Sequence, residues 1–588
     1  MKEVRYRCAN RPWPRHRRVL EHRPRRVAST PFRVRASVVA RPGNTLLGAQ
    51  ARWFLDAAFP GRPQAALIGA RVPLWSLAPA PGSPIAAMVT PATAAERPSP
   101  SAGPAPAAET QTDVLIVGGG VCGTALLFEL ARYTDLGHLT LVERYDQLAQ
   151  VNSKASSNSQ TIHCGDIETN YTLEKALKVK RTAEMIERYA GLLSEPERNR
   201  CVFRTPKMVL AVGEPECGAL RRRFELFSPH FPAMELLEKE QIAEWEPHVA
   251  RLDGERPDSP LRPEALVAIG IRRAATAVDY EALAQSFVAQ AQATLAGSER
   301  QLDLWLGSRV ETIRPETAAD GSTTFLVELR PHRAGAANRP GDPNGQAPPR
   351  RIRARHVVVS AGAHSLLMAQ QLGFGLEYSC LPVAGSFYFT PDLLRGKVYT
   401  VQNDKLPFAA IHGDPDVRSP GQTRFGPTAL LLPLLERYRP ASFFEFLKVL
   451  RLDFSVLLVF WQLFRIADIR NYILKNLLFE VPWLRRRLFL ADARKIVPGL
   501  QLDDLRFAEG FGGVRPQLIH KGEKRLMLGE ARIAAMPGLA FNVTPSPGGT
   551  CCLGNAVTDL EAIVERLGCG FDRQRLEQEL YGASSPAP

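Results

Sequence analysis

Val114-Leu115-Ile116-Val117-Gly118-Gly119-Gly120-Val121-Cys122-Gly123 reads as a buried strand that runs through a glycine turn into the start of a helix. Gly118 permits the tight turn, Gly120 lets the backbone approach a pyrophosphate, and Gly123 allows the helix to pack closely. The helix N-terminus offers free N–H groups and the positive end of its dipole to the phosphates. A second strand, Leu139-Thr140-Leu141-Val142, ends at Glu143, where a carboxylate can accept ribose hydroxyls. A bare glycine triad is weak evidence. The strand before it, the apolar helix from Ala125 to Tyr133 after it, and the acid closing the second strand together identify a dinucleotide site on an α/β fold.

The 588 residues exceed one core and indicate two to four packed units, by the usual domain size. The net charge of +14 suggests nucleic acid or lipid until it is located along the chain. Residues 1–87 hold sixteen Lys and Arg against Glu3, Glu21 and Asp56, leaving 58 basic and 57 acidic residues in the remainder. The body is therefore electrostatically ordinary, and no nucleic-acid partner is expected. Nine cysteines show no CxxC pair and no short-spaced framework, which indicates a reducing compartment, and no metal site is expected. No uninterrupted apolar run approaches the roughly 18 residues that a membrane span needs.

Residues 1–110 are rich in Arg, Pro and Ala, with a Pro/Ala/Ser run from Ala78 to Ala108, a composition expected to be disordered. Two readings stand for it: an organellar transit segment, or an upstream extension with the natural start near Met88. The polar run Asn152 to Gly165 follows the first βαβ pattern, and Val357-Val358-Val359-Ser360 leads as a second strand into Ala361-Gly362. Leu302 to Ile313 and Thr323 to Leu329 alternate as strands, His332 to Pro349 reads as a surface loop in a hairpin, and Gly191 to Arg262 as mostly helical. Phe443 to Arg465 is apolar at helical spacing but interrupted by charge. It reads either as a core-facing helix or as one lying in a membrane interface, with Arg485-Arg486-Arg487 nearby.

Only one nucleotide fingerprint is present, so electrons enter from a small substrate and not from a second nucleotide. Hydride chemistry requires an organic coenzyme, since side chains cannot accept hydride. Two later glycine turns, Phe511 to Pro516 and Thr544 to Leu553, could stabilise charge on a reduced ring. In the second half of the chain His412 has the ordinary pKa, about 6.5, of a general base. Arg424 and Arg515 carry the planar forks that grip carboxylates, and His163 is a further imidazole of open role.

These segments resemble the malate:quinone oxidoreductase family of two-domain FAD flavoproteins, from about Thr112 to Leu580. The resemblance is carried by Ser156-Ser157-Asn158-Ser159-Gln160-Thr161, Ile411 to Pro415, Thr423 to Ala429, Asp468 to Tyr472, Ala493 to Pro498 and Ser546-Pro547-Gly548-Gly549-Thr550. It implies a Rossmann-like FAD-binding domain in three pieces, 111–205, 276–380 and 505–580. An α+β substrate domain, 206–275 and 381–504, would be interleaved with them, after the extension 1–110. Non-covalent FAD would lie with Gly118, Gly120 and Gly123 at the pyrophosphate and Glu143 at the ribose. Asn158, Ser159 and Gly165 would line the flavin, with Ala361, Gly362, Gly548, Gly549 and Thr550 completing the pocket. Arg515 and Arg424 would each take one carboxylate of malate and His412 the hydroxyl proton, with membrane quinone as final acceptor. The implied place is the inner face of the cytoplasmic membrane, or a mitochondrion if the extension is a transit segment. Two rivals remain: a flavin dehydrogenase or oxidase of this fold acting on another 2-hydroxy or 2-amino acid, and a carrier of similar nucleotide fold that holds no flavin, such as the prenyl-binding dissociation inhibitors.

Overall fold

The computed structural model describes residues 109–317, 321–332, 349–402, 411–479, 481–527 and 529–582. The expectations for the N-terminal extension up to residue 108 and for the loop at 333–348 lie outside the described residues.

The quoted stretch forms the strand Glu109–Val117, bordered by two parallel neighbours. The sheet runs Ala531–Met536, Leu539–Val543, Arg350–Val359, Glu109–Val117, His138–Val142 and Gln301–Trp305. Along this path only the first pair is antiparallel, and Thr323–Pro331 with Ser308–Thr317 forms an antiparallel side branch on Arg350–Val359. From Glu109–Val117 the chain crosses to His138–Val142 on one side, while Arg350–Val359 occupies the other. The carboxyl ends of Glu109–Val117 and Arg350–Val359 therefore flank a topological switch point, where open parallel sheets bind ligands.

Nine helices carry the argument: α1 (Val121–Tyr133), α2 (Leu173–Leu192), α3 (Tyr280–Leu295), α4 (Ala363–Gln371), α5 (Ser442–Leu450), α6 (Phe454–Arg465), α7 (Ala467–Leu478), α8 (Pro482–Ala493) and α9 (Cys552–Leu567). On one face of the sheet α1, α2, α3 and α9 pack into a core in which Phe128, Tyr189 and Phe287 meet at ring distances of 4.4 to 5.7 Å. The opposite core includes α4 and the inner positions Val449, Val456 and Val459 of α5 and α6.

A second, eight-stranded sheet runs Arg506–Phe507, Tyr388–Pro391, Gln422–Gly426, His412–Pro415, Lys397–Thr400, Lys207–Val212, Leu266–Ile271 and Glu235–Glu238. A smaller sheet pairs Tyr378–Ala384 with Val514–His520 and bridges toward the coenzyme side. Two sequence expectations need correcting here. Gly191 to Arg262 is helical over much of its length but also holds strands, among them Lys207–Val212, a largely buried strand whose continuous apolar run has no periodicity to separate it from a helix. Phe443 to Arg465 is two helices, broken where Arg451 takes a left-handed conformation and Asp453 caps Val456 N–H at 3.0 Å.

Glu129 is an anomaly inside α1. Its carboxylate oxygens are buried with no hydrogen-bond partner, and burial, with Asp559 nearby, holds its pKa well above the ordinary glutamate range. The folded state therefore binds a proton that the unfolded chain releases, so this group's contribution to stability is full at acid pH and is lost as pH rises above the ordinary glutamate pKa. Glu129→Gln should gain on the wild type steadily as pH increases through that window, measured by urea unfolding at a series of pH values. A constant difference between the two proteins across that window would contradict the buried protonated carboxyl.

Candidate active site

The turn after Glu109–Val117 is built on absent side chains. A Cβ on Gly118, whose φ is +115°, would lie 2.5 Å from Ser360 O, and one on Gly123 would lie 2.0 Å from Gly118 O. Gly120, by contrast, faces open space, with only Ser153 Oγ within 3.3 Å of an added Cβ, which leaves room for a phosphate. Ser153 Oγ accepts the Val121 N–H at 3.0 Å. Glu143 accepts one N–H on each oxygen, from Gly119 at 2.7 Å and Tyr145 at 2.9 Å, which fixes the carboxylate beside the turn.

A cavity of about 520 Å³ extends from this turn. Gly118, Gly120, Glu143, Ala361 and Gly362 line it, as do Asn158, Ser159, Gly548 and Gly549. Three other expected contacts stand behind the wall. Gly123 lets α1 close onto the turn. Thr550 receives the His163 N–H and meets Tyr280 Oη, both at 3.1 Å. Gly165 packs against α2, where a Cβ would lie 2.4 Å from Ala176 O, and is not a flavin contact in this arrangement.

The polar run after Gln150 is fastened to the turn carrying Arg515. Asn152 donates from Nδ2 to Val514 O at 2.8 Å and accepts the Val514 N–H at 3.2 Å. Gly512 N–H donates to Ser156 O at 2.7 Å, and a Cβ on Gly513 would lie 2.5 Å from Ser157 O. Asn158 spends its amide on Asn152 O and Lys154 O, so it shapes the loop. At the ribose side Arg144, Tyr145, Glu436, Arg439, Glu445 and His364 form one ion-pair network that ties α5 to the cavity wall. His364, Glu436 and Glu445 approach one another closely enough to hold a cation, but Arg144 and Arg439 already neutralise them.

A second cavity, of about 110 Å³, adjoins the first at Ser159, His163, Pro427, Arg515 and Ser546. His412, Tyr399, Tyr171, Lys175, Glu168 and Gln517 complete its principal lining. Among the described residues no carboxylate lies within ion-pair distance of Arg515, and burial lowers its pKa, partly countered by neighbouring Tyr472 and Tyr399. The His412 ring stacks on Tyr399 at 4.4 Å, and its Nε2 lies 3.2 Å from Asp414 Oδ1 without the geometry of a hydrogen bond. Burial first, then Lys397 and Arg424, hold its pKa well below the ordinary histidine range, so the imidazole is a free base at neutral pH. His163 Nδ1 lies 2.9 Å from Glu168 Oε1.

Arg424 does not reach either cavity, which corrects the expectation of a second carboxylate clamp. The strand register sets Asp414 directly opposite Arg424, so both side chains fall on one face. Its fully buried guanidinium lies 3.4 Å from Asp414 and 3.2 Å from Asp416, over the Phe387 ring. Lys397 Nζ joins the network 3.1 Å from Asp414. Sequence reading also missed Lys175, Tyr472, Gln517 and the two aspartates. The aspartates had a signal: His412, Asp414 and Asp416 alternate at the strand period of two. The others come from separate elements and leave no local pattern.

The residues fit FAD on their own terms: a turn with no side chains at the phosphates, a fixed acid at the ribose, and a long cavity that ends beside a small polar one. The chain matches the family described as FAD dependent oxidoreductase over residues 113–558. A probable malate:quinone oxidoreductase of Campylobacter jejuni is 45% identical over 476 residues, which cover 80% of this chain and 99% of that protein. The malate:quinone oxidoreductase of Helicobacter pylori strain 26695 is 41% identical over 470 residues, 80% of this chain and 97% of that one. Among solved structures, a glycine oxidase of Geobacillus kaustophilus is 17% identical with a TM-score of 0.49, covering 78% of this chain and 95% of that one. The chain belongs to the FAD-dependent oxidoreductase family, in the group of the malate:quinone oxidoreductases, and its coenzyme is FAD.

Proposed function

We propose that this protein oxidises (S)-malate to oxaloacetate and passes the electrons to a membrane quinone. The observation that carries the reading is the junction of the two cavities at Arg515, where a small cationic chamber opens onto the coenzyme cavity. The names of its relatives support the same substrate and acceptor.

Arg515 grips one carboxylate of malate through its planar fork, with no internal acid competing for it. Lys175, on the far lining of the chamber, takes the second carboxylate in place of Arg424. His412 accepts the hydroxyl proton. FAD, when bound, supplies the acceptor for the hydride leaving C2. The buried positive neighbours that keep His412 deprotonated are offset when a dianion enters, which raises its proton affinity as the hydroxyl ionises. His163 offers a second reading of the base, because it is the one imidazole that borders both cavities and Glu168 stands behind it.

Quinone takes two electrons and two protons and leaves as quinol. No helix among the described residues is long and apolar enough to cross a membrane, so the protein would meet its acceptor from the surface, on the inner face of the cytoplasmic membrane.

Anaerobic mixing of the yellow holoprotein with malate, followed by flavin absorbance, tests the reading. Bleaching by malate that is reversed by a soluble quinone analogue and not by NAD supports it; bleaching by a different hydroxy or amino acid alone contradicts it. His412→Ala should slow bleaching by about 10²–10⁴-fold with FAD content unchanged, as for loss of a general base. If bleaching is unaffected, the same loss in His163→Ala would transfer the role to His163. Arg515→Lys should raise the malate concentration needed for saturation far more than it changes the limiting rate. With His412 as base, kcat/KM, which reports the unliganded protein, stays level through neutral pH and falls only well below the ordinary histidine range; a midpoint near 6.5 in kcat/KM would point to a group without the His412 environment. Asp414→Ala leaves Lys397 and Arg424 buried without their shared acid and should cost about 3–5 kcal/mol of unfolding free energy by urea titration.

A further inference from the structure

We propose that α5–α8 form the face that seats this protein on an anionic lipid bilayer, with α5 as the wall between the lipid and the coenzyme cavity. The proposal rests on the quinone reading above and deepens it by assigning the surface.

Among the described residues, fourteen of the eighteen exposed large apolar side chains fall between Tyr438 and Trp483. Phe454 is 77% exposed, Trp483 75%, Phe444 68% and Trp461 55%, values that a water-facing surface does not gather into 46 consecutive residues without a use. α6 is apolar almost all round, yet it fully buries only Val456 and Val459 and packs Phe460 and Leu463 partly against the core, which leaves Phe454, Leu457, Trp461 and Phe464 exposed. Twelve residues give it a length of about 18 Å, too short to span the hydrocarbon core. Such a helix lies in the plane of the interface with its aromatic side chains inserted.

The charges select the occupant. Residues 442–493 hold eight basic and five acidic residues. Arg451, Arg465, Arg470 and Arg487 are exposed, and among the described residues none has an acid within ion-pair distance. Arg465 folds over the Trp461 ring at 4.5 Å, which places a cation next to an inserting indole, the pairing that suits a headgroup layer. A second copy of the chain would instead bring like charges together across a two-fold interface.

α5 and α7 join the platform to the interior. Leu474, Leu477 and Leu478 point outward, while Asn476 on the inner side accepts the Ala429 N–H at 2.8 Å and Tyr472 neighbours Arg515 electrostatically. α5 has Phe443, Phe444 and Leu447 exposed on its outer side and places Glu445 and Lys448 in the wall of the coenzyme cavity. An acceptor dissolved in the bilayer needs to pass only this helix to reach the coenzyme.

The test uses the full-length, FAD-loaded chain and flotation with vesicles of phosphatidylethanolamine and phosphatidylglycerol, with pure phosphatidylcholine vesicles as the comparison. The wild type should float with the anionic vesicles and progressively less as salt rises. Trp461→Glu and Trp483→Glu should each lower the bound fraction by at least about tenfold, and Arg465→Glu by about fivefold or more. All three should bleach with malate like the wild type and reduce a water-soluble quinone analogue normally, while losing turnover with a long-chain quinone held in the vesicles. Wild-type failure to float, equal flotation of the glutamate variants, or a wild-type dimer in light scattering that the glutamate variants dissociate would overturn the assignment. Failure of malate to bleach the wild type would overturn the substrate reading and leave the vesicle result standing on its own.

Discussion

A side chain on Gly118 would meet the carbonyl of Ser360 at 2.5 Å, so the ends of two parallel strands can approach only because that side chain is missing. This close approach fixes the switch point of the sheet, and everything that binds the coenzyme is arranged around it. Gly123 brings α1 onto the same turn, Glu143 is held by the turn's own amides, and Ala361 and Gly362 follow directly from Ser360. The polar loop at Asn152 then docks on the Arg515 turn through paired hydrogen bonds to Val514. The turn that carries Arg515 is therefore held by one asparagine side chain clasping its backbone.

Charge compensation decides which cations remain available. Lys397 and Arg424 are buried but shared by Asp414 and Asp416, and Lys207 is paired with Asp166 at 2.8 Å, so these groups give rigidity and little free field. Arg515 stays unpaired among the described residues, with Lys175 across the same small chamber. Two opposite unit charges 4 Å apart at an effective dielectric near 20 attract by about 4 kcal/mol, so Glu168 in the same lining offsets part of the attraction that Arg515 and Lys175 offer an anion. The same chamber holds His412 as a neutral imidazole, ready for a proton once substrate charge arrives.

The coenzyme half was readable because its signals are local: glycines at fixed offsets, an apolar strand, and an acid at the end of the next strand. Register was not readable in the same way. Arg424 looked like a free guanidinium until the ladder set it opposite Asp414, and Gly165 looked like a flavin contact until α2 was seen packed against it. The apolar stretch after Phe443 admitted a buried and a surface reading, since periodicity reports which residues share a face and not what covers that face. Its outer residues are exposed because α5 and α6 bury Phe446, Val449, Leu450, Val456 and Val459, with Phe460 and Leu463 partly covered, and turn the rest outward. Lys175, Gln517 and Tyr472 come together from a helix, a strand and a second helix far apart in the chain, and only the folded chain assembles them.

The most direct measurement is a crystal structure of the holoprotein with a non-reactive dicarboxylate such as malonate. The account requires the isoalloxazine ring at the junction marked by Ser159 and Ser546, with the dicarboxylate in the adjoining chamber, one carboxylate on Arg515 and the other toward Lys175. A dicarboxylate bound elsewhere with Arg515 turned away from it, or a flavin ring remote from that junction, would contradict it.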